Sequence, residues 1–127
     1  MKGSCLCGAV RYEISGPARQ IVGCHCTQCR KTSGHYVAAT QVADCDLIIQ
    51  NAGGLRWYRS SDAAERGFCA RCGASLFWRK RGTGRTSVMA GTLDGPTGLW
   101  MDRQLHGSAK GDYYPLPEVP EISQSEL

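Results

Sequence analysis

The sequence predicts a mostly β fold built from short antiparallel strands. Sixteen glycines and five prolines are spread along the 127 residues, and long helices would not tolerate them so evenly. The apolar and β-branched residues come in short runs separated by turn residues, which is typical of an all-β architecture. The length corresponds to one domain with one modest core.

Seven runs are candidate strands, and each is bounded by residues that favour turns. The turn signals are Gly16-Pro17, Gly53-Gly54, Gly82-Thr83-Gly84 and Gly95-Pro96. The predicted strands are Ala9–Ile14, Gln20–Cys24, Tyr36–Val42, Leu47–Gln50, Leu55–Arg59, Ser75–Arg79 and Thr86–Ala90.

One helical turn or two are predicted over Thr27–Ser33, where no proline interrupts the chain. Beyond Tyr114 the chain is rich in proline and ends in acidic residues. This composition predicts an irregular tail over residues 115–127, after a domain of residues 1–114.

Eight cysteines are the most informative feature of the composition. The N-terminal residues lack the apolar stretch of a secretory signal, and no run approaches the roughly 18 to 20 apolar residues of a membrane span. We therefore expect a cytoplasmic protein with no membrane partner, in a compartment where thiols stay reduced. Metal binding then explains the cysteines better than disulfides do.

Cys69-Ala70-Arg71-Cys72-Gly73 has the form of a zinc knuckle, a tight turn that directs two sulfurs to one point. Tetrahedral zinc takes four ligands, so a second pair is required. Cys5 and Cys7 are two residues apart, and on an extended segment both sulfurs would leave from the same face. The sequence therefore predicts a structural zinc on Cys5, Cys7, Cys69 and Cys72.

Cys24, Cys26 and Cys29 form a second cluster that is one ligand short of a tetrahedron. Three protein ligands and an open position are typical of a catalytic zinc. Alternatively, Cys45, His35 or His106 closes the site and makes it structural, or the cysteines form a redox pair without metal. We expect His25 to face away from the metal, and Cys45 to be a small buried or half-buried side chain.

Four motifs, in this order, resemble the glutathione-dependent formaldehyde-activating enzyme family, which includes the zinc domain of centromere protein V. The motifs are Gly3-Ser4-Cys5-Leu6-Cys7-Gly8-Ala9-Val10-Arg11-Tyr12, Cys24-His25-Cys26-Thr27-Gln28-Cys29-Arg30-Lys31-Thr32-Ser33-Gly34, Phe68-Cys69-Ala70-Arg71-Cys72-Gly73-Ala74-Ser75-Leu76 and Ala90-Gly91-Thr92-Leu93-Asp94. The resemblance covers roughly residues 3–114. It implies a zinc-stabilised, β-tent-like fold, the same two zinc sites, and addition of glutathione to formaldehyde to give S-hydroxymethylglutathione.

The sequence thus predicts a carbon–sulfur lyase whose partners are a glutathione-like thiol and a small aldehyde. A zinc held by three thiolates is suited to take a substrate thiolate as its fourth ligand. Arg30 and Lys31 follow the third cysteine and can pair with a substrate carboxylate. Ser33 and Gly34 can offer a hydroxyl and a backbone amide.

Two other functions fit the same sequence. A zinc or glutathione carrier would bind its ligand without turnover. A zinc-ribbon nucleic-acid binder would use Arg79, Lys80, Arg81 and Arg85 around the Gly82–Gly84 turn, although no stacking aromatics accompany them. The formal charge of +4 supports nucleic-acid binding only weakly, because seven thiolates and two zinc ions would reduce it to about +1.

Overall fold

The computed structural model describes all of residues 1–127 and contains ten strands and one α-helix. Strands account for 43% of the residues, so the predicted mostly β fold is confirmed. The strands are β1 (Lys2–Ser4), β2 (Val10–Ile14), β3 (Ile21–Cys24), β4 (Val37–Ala43), β5 (Leu47–Ala52), β6 (Leu55–Arg59), β7 (Ala64–Cys69), β8 (Ser75–Lys80), β9 (Arg85–Met89) and β10 (Met101–Leu105), and the helix is α1 (Thr27–Ser33).

The strands form two sheets. The smaller has the order β1-β2-β5, and the larger has the order β10-β3-β4-β9-β8-β7-β6. Every pairing is antiparallel except that of β10 with β3. Hairpins therefore build most of the fold from neighbouring segments, and β10 returns from a distant part of the chain to close one edge.

The two faces of the larger sheet have different roles because side chains alternate along each strand. One face carries Val42, Val88 and Phe77, which pack in the main core with Tyr12 and Ile14 of the smaller sheet. The Tyr12 and Phe77 rings meet edge to face with centroids 5.2 Å apart. This contact joins the two sheets.

The opposite face of the larger sheet carries α1 and a smaller apolar cluster. Val37, Ala39 and Met89 pack there against Cys29 of the helix. Cys24, Cys26 and Trp78 lie at the border of this cluster. The second group of cysteines is therefore on the face turned away from the main core.

The structure agrees with all seven predicted strands to within two residues at each end and with the bounds of the predicted helix. It adds β1, β7 and β10, which the sequence analysis did not predict. Strand β7 contains two charged residues and a glycine, and β10 reads Met-Asp-Arg-Gln-Leu, so neither shows an apolar run. Their pairing partners stabilise them as strands despite weak local propensity.

The prediction that the Cys45 side chain is buried or half-buried is wrong. It is exposed in the 3-10 turn Asp44–Asp46 between β4 and β5. The two flanking aspartates favour a solvated turn there.

Residues 115–127 contain only one 3-10 turn, Gln124–Glu126, yet they are bound to the domain. The Gln104 N–H donates to the Pro120 carbonyl at 3.0 Å, and the Ile122 N–H donates to the Gln104 carbonyl at 2.9 Å. The division at residue 114 stays a prediction. The one helix, with seven residues, is too short to cross a membrane.

Candidate metal centres and cavity

The first cysteine cluster joins the start of the chain to the β7–β8 turn. The sulfurs of Cys5, Cys7, Cys69 and Cys72 all lie within 4.8 Å of one another. The Cys7 sulfur is 3.7 Å from that of Cys5 and 3.8 Å from that of Cys69. Cys5 and Cys69 are buried in the main core, whereas Cys7 is exposed. None of the eight cysteines forms a disulfide.

Two similar turns bring these sulfurs together. Gly8 and Gly73, which directly follow the second cysteine of each pair, have φ of 81° and 80°, a conformation that glycine adopts without strain. The Cys5–Cys7 segment is a turn and not the extended segment that the sequence analysis assumed. Inside this turn the Val10 N–H donates to the Cys5 sulfur at 3.3 Å.

The donor set fits a zinc ion. Four sulfurs at about 2.3 Å from a tetrahedral zinc are about 3.8 Å from one another, which matches the two sulfur–sulfur distances given above. Hydrogen bonds with the backbone at Cys7 and Ala74 lower the pKa of Cys72 to about 6, which favours the thiolate that a metal requires. The four residues therefore fit a zinc ion, and their role as ligands stays a prediction.

The second cluster lies where β3 ends and α1 begins. The sulfurs of Cys24, Cys26 and Cys29 lie within 4.8 Å of one another. Cys26 is the N-cap of the helix, and its sulfur accepts the Cys29 N–H at 3.3 Å. A hydrogen bond from the Cys24 thiol, then one from Cys26 and the charge of Arg66, lower the pKa of Cys29, although burial acts in the opposite direction.

This cluster offers three metal-binding atoms and no fourth. No histidine, carboxylate or further cysteine has a ligand atom within the same distance of all three sulfurs. Cys45 is exposed elsewhere, and the Nδ1 atom of His35 hydrogen-bonds with the Tyr113 hydroxyl at 3.1 Å. Three soft sulfurs suit zinc, and the geometry favours the open arrangement over closure by Cys45, His35 or His106.

The three thiols border a cavity of about 420 Å³, within the size range of small-molecule sites. Its walls come from one face of the larger sheet, because Val22, Ala39, Met89 and Trp78 occupy alternate positions on neighbouring strands. Ser87 and His106 add polar groups to the lining. The cavity and the open side of the second cluster are therefore one continuous site.

Arg66 is the side chain that connects the cavity with the thiols. It lies on β7, is only 6% exposed, and donates from Nη2 to the Gln28 Oε1 at 3.3 Å and to the Cys29 sulfur at 3.8 Å. A buried cation requires a compensating charge, and a thiolate at Cys29 supplies it. The charge on Arg66 in turn stabilises that thiolate.

The four predicted substrate contacts lie outside the cavity lining. Arg30 donates from Nε to the Ala109 carbonyl at 3.2 Å, and the Ser33 hydroxyl donates to the carbonyls of Cys29 and His35. Lys31 is exposed, and Gly34 ends the helix. Successive helical residues point about 100° apart, so Arg30 and Lys31 turn away from the face of Cys29, whereas Ser33 returns to that face one turn later with its hydroxyl engaged by the backbone.

His25 lies between Cys24 and Cys26, is completely buried, and is not among the residues whose ligand atoms group with the three sulfurs. The Gln104 Nε2 donates to the carbonyls of Pro117 and Val119, both at 2.9 Å, so its Oε1 accepts from His25 Nε2 at 2.9 Å. His25 Nδ1 then accepts the Tyr114 hydroxyl proton at 2.8 Å. Both ring nitrogens are engaged in a network that links the tail to the second cluster.

We expect replacement of Gln104 by alanine to destabilise the protein by about 1–3 kcal/mol, because it leaves the buried His25 Nε2–H and two tail carbonyls without partners. Urea unfolding measures the loss. Gln50→Ala is the matched control, since that glutamine is exposed and should change stability by less than about 0.5 kcal/mol. Equal stability of the two variants would show that the network does not anchor the tail.

The basic hairpin considered for nucleic-acid binding is solvent-exposed. Arg79 pairs with Glu65 at 2.6 Å and stacks on Trp57 with its guanidinium carbon 3.8 Å from the ring centroid. Lys80, Arg81 and Arg85 are exposed around the β8–β9 turn. One of the four cations is thus engaged within the sheet, and nucleic-acid binding stays untested.

Three residues that line the cavity were not predicted from the sequence, namely Arg19, Arg66 and Trp78. Arg66 and Trp78 face each other across β7 and β8, a register that no local pattern gives. A detectable signal was the position of Arg66, three residues before Cys69 and with apolar and glycine neighbours at its C-terminal side. Charged residues are rarely buried without a partner, so a charge among such neighbours is a candidate for a paired, buried group.

Comparisons with known proteins give one family. The sequence model of the family described as glutathione-dependent formaldehyde-activating enzyme matches residues 1–108. A Halomonas elongata protein, provisionally named a glutathione-dependent formaldehyde-activating enzyme, is 36% identical over 86 residues, which are 61% of this chain and 54% of that protein. The chain therefore spans about half the length of this relative.

Two further relatives are covered more completely. An uncharacterised lyase of Schizosaccharomyces pombe is 27% identical over 114 residues, which are 89% of this chain and 82% of that protein. The crystal structure of a Rhodobacter sphaeroides protein is similar with a TM-score of 0.61 and 28% identity, and covers 77% of this chain and 92% of that chain.

Proposed function

Since the chain belongs to the glutathione-dependent formaldehyde-activating enzyme family, we propose that it is a cytoplasmic, zinc-dependent carbon–sulfur lyase. In the synthetic direction it adds glutathione, or a similar thiol, to formaldehyde or a related small aldehyde. The observation that carries this proposal is the three-thiol cluster, without a fourth ligand, at the edge of a cavity of about 420 Å³.

We assign the two clusters different roles in this reaction. Cys5, Cys7, Cys69 and Cys72 hold a structural zinc, and Cys24, Cys26 and Cys29 hold the catalytic one. Zinc bound to three thiolates supplies a fourth position at which a substrate thiol is kept as a thiolate at neutral pH.

The residues of the chain prepare the cavity for this chemistry. Arg66 offsets the negative charge of the thiolates through its contact with Cys29, and the apolar walls formed by Val22, Met89 and Trp78 exclude water and strengthen that interaction. The carbon–sulfur bond forms between the thiolate and the carbonyl carbon. The proton released by the thiol is transferred to the carbonyl oxygen.

Glutathione and S-methylglutathione test whether the second site takes a thiol. We expect glutathione to bind at least about tenfold more tightly, because the thioether keeps the peptide contacts and cannot become a thiolate. In cobalt-substituted protein, glutathione alone should intensify the sulfur-to-cobalt charge-transfer band. Equal affinities without a spectral change would show that the site is closed to thiols.

A turnover assay separates the enzyme from the carrier that the sequence also allows. We expect the protein to raise the rate of formaldehyde loss and hemithioacetal formation above the spontaneous rate of the same mixture without protein. Tight glutathione binding with no turnover would identify a carrier. A salt-sensitive gel shift with single- or double-stranded oligonucleotides would favour the nucleic-acid alternative instead.

A further inference from the structure

One wall of the cavity is formed by the tail and not by the sheet. Gln124 and Leu127 belong to the cavity lining together with Trp78 of β8. The same three residues border a smaller crevice with Arg85 of β9. Residues 123–127 therefore lie across β8 and β9 beside the cavity, and without them that side of the cavity would be open to solvent.

The tail up to Ile122 is firmly bound to the end of β10. The backbone of Gln104 forms hydrogen bonds with the tail on both sides of Glu121. Close packing continues at Gly107, because a Cβ at that position would overlap the Glu121 carboxylate. This part of the tail is therefore fixed against the domain.

Residues 123–127 are held much less firmly. The hydrogen bonds donated by their backbone amides stay inside one 3-10 turn. Their one hydrogen bond to the rest of the protein runs from the His106 Nε2–H to the Gln124 Oε1, and at 3.4 Å it is longer than the roughly 3.0 Å of a well-formed bond. A segment with so few contacts opens at a low cost in free energy, and the hinge lies directly after Ile122.

His106 makes this contact from a strained backbone conformation. Its φ of 55° and ψ of 40° make it the only residue other than glycine with a positive φ, and such residues cluster at functional sites. Leu105 and His106 both line the cavity, whereas successive residues of an extended strand point to opposite faces. The left-handed conformation therefore turns the imidazole towards the cavity, where it meets Gln124.

We propose that residues 123–127 are a lid on the second cluster, hinged after Ile122 and held closed by the hydrogen bond between His106 and Gln124. This inference rests on the proposed function, because the lid opens to admit the thiol and the aldehyde and then closes over them. Closure excludes water from the cavity and strengthens the interaction between Arg66 and the thiolates.

Paramagnetic broadening by a soluble nitroxide measures whether the lid covers the cavity, and it depends neither on the second metal nor on a thiol. Removal of residues 123–127 should increase the broadening of the Trp78 ring signals roughly twofold or more. Trp57 and Trp100 are internal controls, because both lie outside the cavity lining. Gln124→Ala should give an intermediate value for Trp78, since a lid without this hydrogen bond opens more often.

Stopped-flow binding of glutathione to the cobalt-substituted protein measures whether the lid moves. In the full chain the observed rate should reach a plateau as the glutathione concentration rises, because lid opening becomes rate-limiting. In the protein without residues 123–127 the rate should rise linearly. Dissociation from that protein should be faster by roughly threefold or more, since nothing closes over the bound thiol.

Glu118→Ala is the matched control for Gln124→Ala, because Glu118 is exposed in the firmly bound part of the tail and lies outside the cavity lining. Gln124→Ala should raise the plateau roughly twofold or more, and Glu118→Ala should leave it unchanged. A linear rate in the full chain would show that the segment is a fixed wall and would overturn the lid. Equal plateaus in the two alanine variants would overturn it as well, even if the shortened protein does not fold.

The proposed function fails separately from the lid. If glutathione does not bind, thiol chemistry at the second cluster is wrong, and the broadening of Trp78 decides the lid alone. A graded increase from the full chain through Gln124→Ala to the shortened protein supports the lid. Equal broadening in the three proteins overturns it.

Discussion

Replacement of Cys72 by serine is expected to unfold the protein or leave it insoluble. The four sulfurs of its cluster join segments that are 62 residues apart in the chain at Cys7 and Cys69, and two of the four cysteines are part of the main core. A structural zinc contributes on the order of 10 kcal/mol to folding, whereas a whole domain is stable by only about 5–15 kcal/mol. Loss of one thiolate therefore removes most of the stability.

Circular dichroism, thermal unfolding and metal content measure this result. Cys45→Ser is a control with the same chemical change, since Cys45 is exposed and belongs to neither cluster. It should keep the wild-type thermal midpoint and both metals. A folded Cys72→Ser protein with an unchanged midpoint would disprove the structural role of the four cysteines.

The fold could be predicted from the sequence where local information decides it. Short apolar or β-branched runs predict strands such as Leu55–Arg59 and Ser75–Lys80. The helix could be placed because residues 27–33 include helix-tolerant side chains and no proline. The structure adds its cap, in which the Cys26 sulfur accepts the Cys29 N–H. Strand β7 could not be predicted from local sequence, because its Glu65 and Arg66 are stabilised in the strand by pairing with β6 and β8.

The candidate site also has a part that local sequence predicts and a part that depends on distant strands. Local spacing paired the cysteines within each motif, because turns such as Cys69–Gly73 fix the positions of sulfurs over a few residues, and the four ligands of a tetrahedral zinc joined the two distant pairs. The cavity depends on register between strands that are far apart in sequence, so Arg66 and Trp78 could not be assigned to it. Arg30 and Lys31 follow Cys29 directly in sequence but lie outside the cavity lining, so their role as substrate contacts stays a prediction.

The second cluster should tolerate the substitution that unfolds the first. We expect Cys24→Ser to leave a folded protein that retains one zinc and loses thiol binding. Cys24 is half-buried at the end of β3 and lines the cavity, and its cluster packs against a small group of side chains outside the main core. The strands keep their hairpin partners without the metal, so the loss falls on ligand binding and not on the fold.

Cys29→Ser should also leave a folded protein that retains one zinc and loses thiol binding. Its loss of stability should be larger than that of Cys24→Ser, because Cys29 is only 7% exposed and its replacement leaves Arg66 without an anionic partner.

Metal content per chain, thermal midpoint and glutathione binding are compared for Cys24→Ser, Cys29→Ser and Cys72→Ser. The decisive pair is Cys24→Ser and Cys72→Ser, which differ only in the cluster they remove. If Cys24→Ser unfolds as completely as Cys72→Ser, the second cluster is structural, and the open site on which the enzyme proposal depends does not exist.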